Sequence, residues 1–424
     1  MKHVIIGGGA AGIKAAEQIR SLEKDSKITI IMEDMNIHSR CMLHKYLSGE
    51  RGIEEMSFLP KEMEEKLNIE FFRGYTISSV DTDKKIVKII PLNDQIGEAN
   101  SGAKIEEVSY DRLLIATGSN GFIPPAPGLR EAKNVYCFRH LREAEIIREK
   151  AKDANDIAII GAGLVGIDAA YGMLERGKKV TVIDMALSII PMQLCKKAGD
   201  MYQKLFEDDG CKFELGRKVS DTKMDVNGNI TSIILDNGTE VKCDLVISAA
   251  GERASIKFLE GSAVKIDRFI EVDDHMRTNV KDVYAAGNAT GLSGTWPNAK
   301  KEAEVAAYNM CGYDKVYDDT YAMKNTMNFY GLATLSLGSG KAEEGDRVIE
   351  QQDSFGYRKA IIRNGVLDSV VLQGKNLNYA GVYQHIIKNK INIQDIIKDN
   401  ENKVFKLSFA DFYATDDRGQ YVYA

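Results

Sequence analysis

The chain has 424 residues, of which 28% are charged and 44% hydrophobic, and its net charge is −6. That size and composition predict an ordinary globular protein of two to four domains, and the acidic balance argues against nucleic-acid binding. No apolar run reaches the roughly 20 residues of a membrane helix, and the run that follows Met1-Lys2-His3 is too short for a signal peptide, so the expectation is a cytoplasmic protein with no membrane partner.

The first element predicted is a strand over Val4–Ile6. It runs into Gly7-Gly8-Gly9-Ala10-Ala11-Gly12 and a helix from about Ala11 to Leu22. The glycines serve different ends. Gly7 allows the tight turn, Gly9 the close approach of a pyrophosphate, and Gly12 the packing of helix on strand. The helix N-terminus then points its free N–H groups at phosphate. A second strand, Ile28–Met32, ends at Glu33, at the spacing expected of an acid that binds an adenosine ribose. A glycine loop without a ligand would not require strand, glycines, helix and acid in that order.

The unit repeats. Ile157–Ile160 lead into Gly161-Ala162-Gly163-Leu164-Val165-Gly166, a helix to about Arg176, and a strand from Lys179 that ends at Asp184. An acid at that point accepts hydrogen bonds from a free ribose 2′-hydroxyl and repels a 2′-phosphate, and no arginine follows it, so NAD(H) is expected rather than NADP. Two dinucleotide sites in one chain predict electron transfer between the two ligands. The six cysteines (Cys41, Cys137, Cys195, Cys211, Cys243 and Cys311) form no CxxC, which removes a sequence-local redox disulfide, and no metal site is expected.

Beyond about Tyr321 the pattern changes to short strands at Met327–Tyr330, Leu332–Leu337, Arg358–Arg363 and Leu367–Leu372. Asn364-Gly365 reads as a hairpin turn, and a helix is expected from Tyr379 to Lys388. Lys388, Lys390, Lys398, Lys403 and Lys406 read either as a docking face for an acidic partner or as a solvated face interspersed with Asp395, Asp399 and Glu401. The aromatic stretch from Ser408 to Ala424 is expected to pack on the body. The fold class is therefore α/β: two Rossmann-like βαβ nucleotide-binding domains plus a small C-terminal α+β domain.

These motifs, with Leu113–Gly118, Leu245–Gly251 and Val283–Asn288 in order, resemble the pyridine-nucleotide-dependent flavoprotein reductases. The resemblance implies a discontinuous FAD domain (1–115 and 246–321), an NAD domain (116–245) and an interface or docking domain (322–424). The FAD contacts it implies are Gly7, Gly9, Ala10, Ala11, Gly12, Glu33, Arg40, Lys45, Ile77, Ala116, Thr117, Gly118, Arg139, Gly287, Asn288 and Trp296. The NAD contacts it implies are Gly161, Gly163, Leu164, Val165, Gly166, Asp184 and Gly251. One position departs from the family: Asn288 stands where an aspartate usually holds the ribityl chain.

The stretch Ser39–Gly49 chooses the branch. Cys41 followed by Tyr46-Leu47 is similar to the lone-cysteine branch of NADH oxidases, peroxidases and coenzyme A disulfide reductases. Arg40, Leu43 and Lys45 are similar to the ferredoxin and rubredoxin reductases and the apoptosis-inducing-factor-like proteins, with Cys41 in place of a proline. Ala10 and Ala11 occupy the loop positions where peroxidases carry a histidine, and Met42 follows Cys41 where the usual pair is Cys-Gly. The second branch is therefore favoured. It implies Lys45 beside flavin N5, paired with Asp168, and a small iron–sulfur carrier as partner; a homodimer is compatible with it. The alternative is a thiol-dependent oxidase or disulfide reductase using Cys41, which otherwise reads as a small apolar filler. His385 stands alone, without the acid–base pair of disulfide reductases, and reads as structural.

Overall fold

The computed structural model describes residues 1–93, 102–292, 294–318, 324–354, 356–375, 377, 380–415, 417–418 and 421–423. Tyr321 and Tyr379, at the edges of two predicted segments, lie outside them, as do the side chains of Tyr421 and Tyr423.

Two five-stranded parallel sheets repeat one plan. In the first, strand Lys2–Ile6 lies at the centre, with Lys27–Met32 and then Glu70–Arg73 on one side and Arg112–Ile115 and then Val283–Ala285 on the other. In the second, Asp156–Ile160 takes the centre, flanked by Lys179–Asp184 and Lys212–Leu215 on one side and by Leu245–Ser248 and Val135–Cys137 on the other. Continuous Val/Ile/Leu runs in the central strands suit sheets covered on both faces; Val4, Ile5 and Ile6 and their counterparts Ile157–Ile160 are all buried. Helices Ala10–Leu22 and Leu164–Leu174 start at the glycine loops. Each half also carries a three-stranded antiparallel sheet.

Two details differ from the sequence expectation. Leu245–Ser248 hydrogen-bonds within the second sheet, so that unit extends to Ser248 instead of ending at 245. The two crossings between units pair with each other: Ser119–Gly121 and Glu252–Ala254 form an antiparallel ribbon.

The C-terminal unit is a five-stranded antiparallel sheet, Lys324–Phe329, Leu332–Gly338, Val366–Gly374, Gly356–Arg363 and Arg347–Asp353 in spatial order, with helix Ala380–Lys388 against it. Asn364 and Gly365 both take positive φ, as the hairpin requires. The edge strand Arg347–Asp353 was not anticipated; only Ile349 in it is buried, so it shows no alternation to read. This sheet sits on the second nucleotide unit. Tyr202 Oη donates to Leu332 O (2.5 Å), and Gln373 Nε2 donates to Ala198 O (3.1 Å).

Candidate functional site

The glycine loops divide their work. Gly7 has φ +113°, and a Cβ there would lie 2.2 Å from Ala116 O; a Cβ on Gly12 would lie 1.8 Å from Gly7 O. Those two glycines are required by packing. Gly9 caps helix Ala10–Leu22, and a Cβ on it would meet nothing within 4 Å. Among the described residues no side chain caps that helix, which leaves its first N–H groups available to a ligand. Gly161, Gly166 and Gly163 repeat the division: φ +114° and 2.4 Å from Ala249 O, 1.8 Å from Gly161 O, and nothing within 4 Å.

At the first loop opens a cleft of ≈ 550 Å³, lined by Gly7, Gly8, Gly9, Glu33, Arg40, Ile77, Ala116 and Thr117, all but Gly8 being anticipated contacts. Glu33 Oε1 accepts from Thr76 Oγ1 at 2.7 Å. Thr117 Oγ1 is buried there with no partner among the described residues, as is Arg139 Nε nearby. Buried donors without partners are costly unless a ligand completes them. With the glycine cradle and the acid, they fit the pyrophosphate, ribose and ring of FAD.

Arg40 Nη2 stands 3.2 Å from His140 Nδ1, and His140 Nε2 stands 3.1 Å from Asn120 Oδ1. Burial, with Arg40 and Arg139 close by, holds His140 well below the usual imidazole range. The ring is therefore neutral, accepting from Arg40 and donating to Asn120. Gly118 (φ +71°) lets Arg40 in, since a Cβ there would lie 2.9 Å from Arg40 Nη1. Gly287 has φ +77° and its N–H donates to Glu302 Oε2 at 2.7 Å. Glu302 is fully buried, and desolvation pushes its carboxyl up to about 7. Trp296 opens helix Trp296–Met310 and packs edge-on against Phe58 at 4.8 Å between ring centroids.

The Lys45–Asp168 pair is not formed. Lys45 Nζ donates to both oxygens of Glu50 (2.8 and 2.7 Å), while Asp168 Oδ1 lies 3.5 Å from His44 Nδ1. The cause is helical geometry. On helix Leu43–Ser48, Leu43, Tyr46 and Leu47 are buried in the second unit's core, and residues advance about 100° each, so Lys45 points away from helix Leu164–Leu174 while His44 lies beside it. Gly172 permits the approach: a Cβ there would lie 3.2 Å from His44 O. Desolvation pushes Asp168 up to about 8 and, aided by Lys45, holds His44 down at about 4. At neutral pH this is a carboxylic acid beside a neutral imidazole, not an ion pair.

Cys41 is an exposed free thiol. Desolvation and the Asp168 carboxyl push it up, against the pull of Arg139. It is held as a thiol, and Asp168 and Arg139 place it at the junction of both units.

In the second unit, Asp184 Oδ2 accepts from Ala162 N (2.5 Å) and Oδ1 from Ala186 N (2.7 Å). Gly163 caps helix Leu164–Leu174, Leu164 is half-buried in its first turn, and Val165 is exposed. Gly251 takes φ +112° with open space around it. Sequence reasoning missed Thr76, Asn120, His140, Glu252 and Glu302; none belongs to a motif, and each is brought in by a separate strand, loop or, for Glu302, helix Trp296–Met310.

The pyridine nucleotide-disulphide oxidoreductase model matches residues 1–303. Among curated relatives, nitrite reductase [NAD(P)H] of Bacillus subtilis is 30% identical over 88% of this chain; the chain spans 45% of that protein. NADH-dependent phenylglyoxylate dehydrogenase subunit epsilon of Aromatoleum evansii is 28% identical over 85% of each chain. NADH-rubredoxin oxidoreductase of Clostridium acetobutylicum is 25% identical over 88% of this chain and 91% of its own. The same fold is seen in the covalent putidaredoxin reductase–putidaredoxin complex, with TM-score 0.81 at 22% identity, covering 96% of this chain and 97% of that one. It is seen as well in the water-forming NADH oxidase from Lactobacillus brevis, with TM-score 0.80 at 21% identity over 93% and 92%. Among the described residues no helix is long and apolar enough to cross a membrane. The chain belongs to the pyridine nucleotide-disulphide oxidoreductase family, whose members are oxidoreductases dependent on FAD and NAD(P)H.

Proposed function

We propose that this chain is an FAD-dependent NADH oxidoreductase that exchanges electrons with a small iron–sulfur protein of the ferredoxin or rubredoxin kind. The observation that carries the reading is the pairing of two nucleotide cradles with a junction where the exposed cysteine is held as a thiol. When bound, FAD would supply the redox chemistry, as hydride acceptor for NADH and as source of single electrons for the partner.

The chain's own residues bind, orient and shield. The Gly9 loop, the helix it caps, Glu33 and Thr117 hold FAD in the first cleft. Gly163, its helix and Asp184 hold NADH, and the negative charge of Asp184 disfavours a 2′-phosphate. Asp168 keeps a proton on its carboxyl at the junction at neutral pH. Glu50, in place of Asp168, holds Lys45. The partner surface includes Lys388, Lys390, Lys398 and Lys406, all exposed, whereas Lys403 is paired with Asp411 at 3.0 Å. The free cysteines suit a reducing, cytoplasmic setting.

The second reading is a thiol-dependent oxidase or coenzyme A disulfide reductase, favoured by the exposure of Cys41 at the junction. Anaerobic reduction by NADH, followed by a panel of acceptors, separates them. Rapid reduction of ferredoxin or rubredoxin supports the first; turnover with oxygen, peroxide or a disulfide, lost in Cys41→Ser, supports the second and removes the first.

A further inference from the structure

Position 288 holds an asparagine where the resembled family has an aspartate, and the structure brings a carboxylate to it from elsewhere. Asn288 Nδ2 donates to Glu252 Oε1 at 2.8 Å. The other oxygen of the same carboxylate accepts from Ser119 Oγ at 2.7 Å and lies 2.8 Å from Arg139 Nη2. Arg139 Nη2 also donates to Ser119 Oγ at 2.8 Å, closing a ring of three side chains to which Asn288 is attached through Glu252 Oε1. Ser119 is 1% exposed, so the ring has a buried floor. Ser119 and Glu252 come from the two strands of the ribbon between the nucleotide units, Arg139 from the loop before helix Leu141–Lys150, and Asn288 from the turn after strand Val283–Ala285. Three other stretches of chain converge on the Glu252 carboxylate.

The chemistry fixes the amide. An ionised carboxylate only accepts hydrogen bonds, so Asn288 must turn its NH₂ toward Glu252, which leaves its carbonyl as the free acceptor. We propose that Glu252 is a positioning residue for the flavin cofactor: it fixes the orientation of Asn288 and carries the negative charge that an aspartate at 288 would carry. The function is split over two residues, one supplying the acceptor and one the charge. This rests on the reading that FAD occupies the first cleft. No motif contains Glu252, and its only sequence signal is an acid directly after Gly251, paired with a lost acid at 288.

The split has a property that a merely structural bond lacks. Asn288→Asp sets two carboxylates against each other at hydrogen-bond distance, and adding Glu252→Gln restores one donor and one charge with their places exchanged. The test compares Asn288→Asp, Glu252→Gln and the double variant. The readouts are FAD affinity on reconstitution of the apoprotein, the midpoint potential of the bound flavin, and apoprotein melting as a control for folding. Asn288→Asp should weaken FAD binding about tenfold or more. Glu252→Gln should shift the potential positive, because removing a nearby negative charge favours the reduced anionic flavin. The double variant should recover affinity to within about threefold of wild type, and its potential should return toward wild type. Additive losses in the double variant, or a Glu252→Gln potential equal to wild type, overturn the proposal. Failure of the wild-type apoprotein to bind FAD overturns the reading of the cleft itself, and that result is seen before any variant is made. Should Glu252→Gln fail to fold, Asn288→Asp decides alone: unchanged FAD affinity sinks the split.

Discussion

Gly7 and Gly161 share φ values of +113° and +114°, and Gly12 and Gly166 would each drive a Cβ to 1.8 Å from the carbonyl five residues earlier. The two cradles are the same backbone object; the acids beside them are not used alike. Glu33 is held by the Thr76 hydroxyl at the rim of its cleft, whereas Asp184 accepts from two backbone N–H groups, Ala162 in the glycine loop and Ala186 just past its own strand. The glycine loop is set by steric necessity and so repeats, while the acid is set by whatever its neighbourhood offers and so diverges.

The sharpest way to break the comparison is at the glycines. Gly12→Ala should yield protein without flavin, because the new methyl collides with backbone that cannot retreat. Gly166→Ala should keep the yellow flavin and lose reduction by NADH, read in stopped-flow absorbance; normal NADH reduction there would refute the equivalence of the cradles. Gly9→Ala and Gly163→Ala meet only open space, so melting temperatures should stay within a few degrees while the respective nucleotide affinity falls about tenfold.

Next in size is a pH effect at the junction. The folded value of Asp168, about 8, lies above its unfolded value near 3.9. Its contribution is present below about pH 4 and is lost as pH rises through about 8. His44 has the opposite sign, its contribution being lost as pH falls from about 6.5 through about 4. Above about pH 6.5 only Asp168 of this pair contributes a slope, so Asp168→Asn should gain up to a few kcal/mol on wild type by pH 9 and flatten the profile. Denaturant melts at pH 6.5 and 9 check it, and parallel profiles for the two proteins would show that the carboxyl ionises normally.

Asp184→Arg should raise the Michaelis constant for NADH several-fold and narrow the gap to NADPH. The smallest effect expected is that of Cys41→Ser on reduction of an iron–sulfur acceptor, within about twofold of wild type.

Both cradles were legible in the sequence because each is a local object: strand, turn, helix and acid lie within roughly thirty residues, and their physics is short-range. The hairpin at Asn364-Gly365 was legible for the same reason. The partner of Lys45 was not, because it depends on which face of a six-residue helix is buried, and that is decided by Leu43, Tyr46 and Leu47 against a distant helix. Strand Arg347–Asp353 was hidden by its polar, half-solvated edge position. Glu252, His140 and Asn120 were invisible because chain segments far apart in sequence assemble them.

The helix Leu43–Ser48 is encoded between two strands of the first unit yet contributes Leu43, Tyr46 and Leu47 to the second unit's core, alongside Ile167, Ala170 and Met173. Met327, Phe329, Tyr357 and Val371 of the C-terminal sheet join the same core. Dissection at the nominal boundaries would therefore leave a greasy scar on the first fragment and a hole in the second. The three units are expected to melt as one cooperative block, and the segment carrying Cys41 cannot swing away without opening that core.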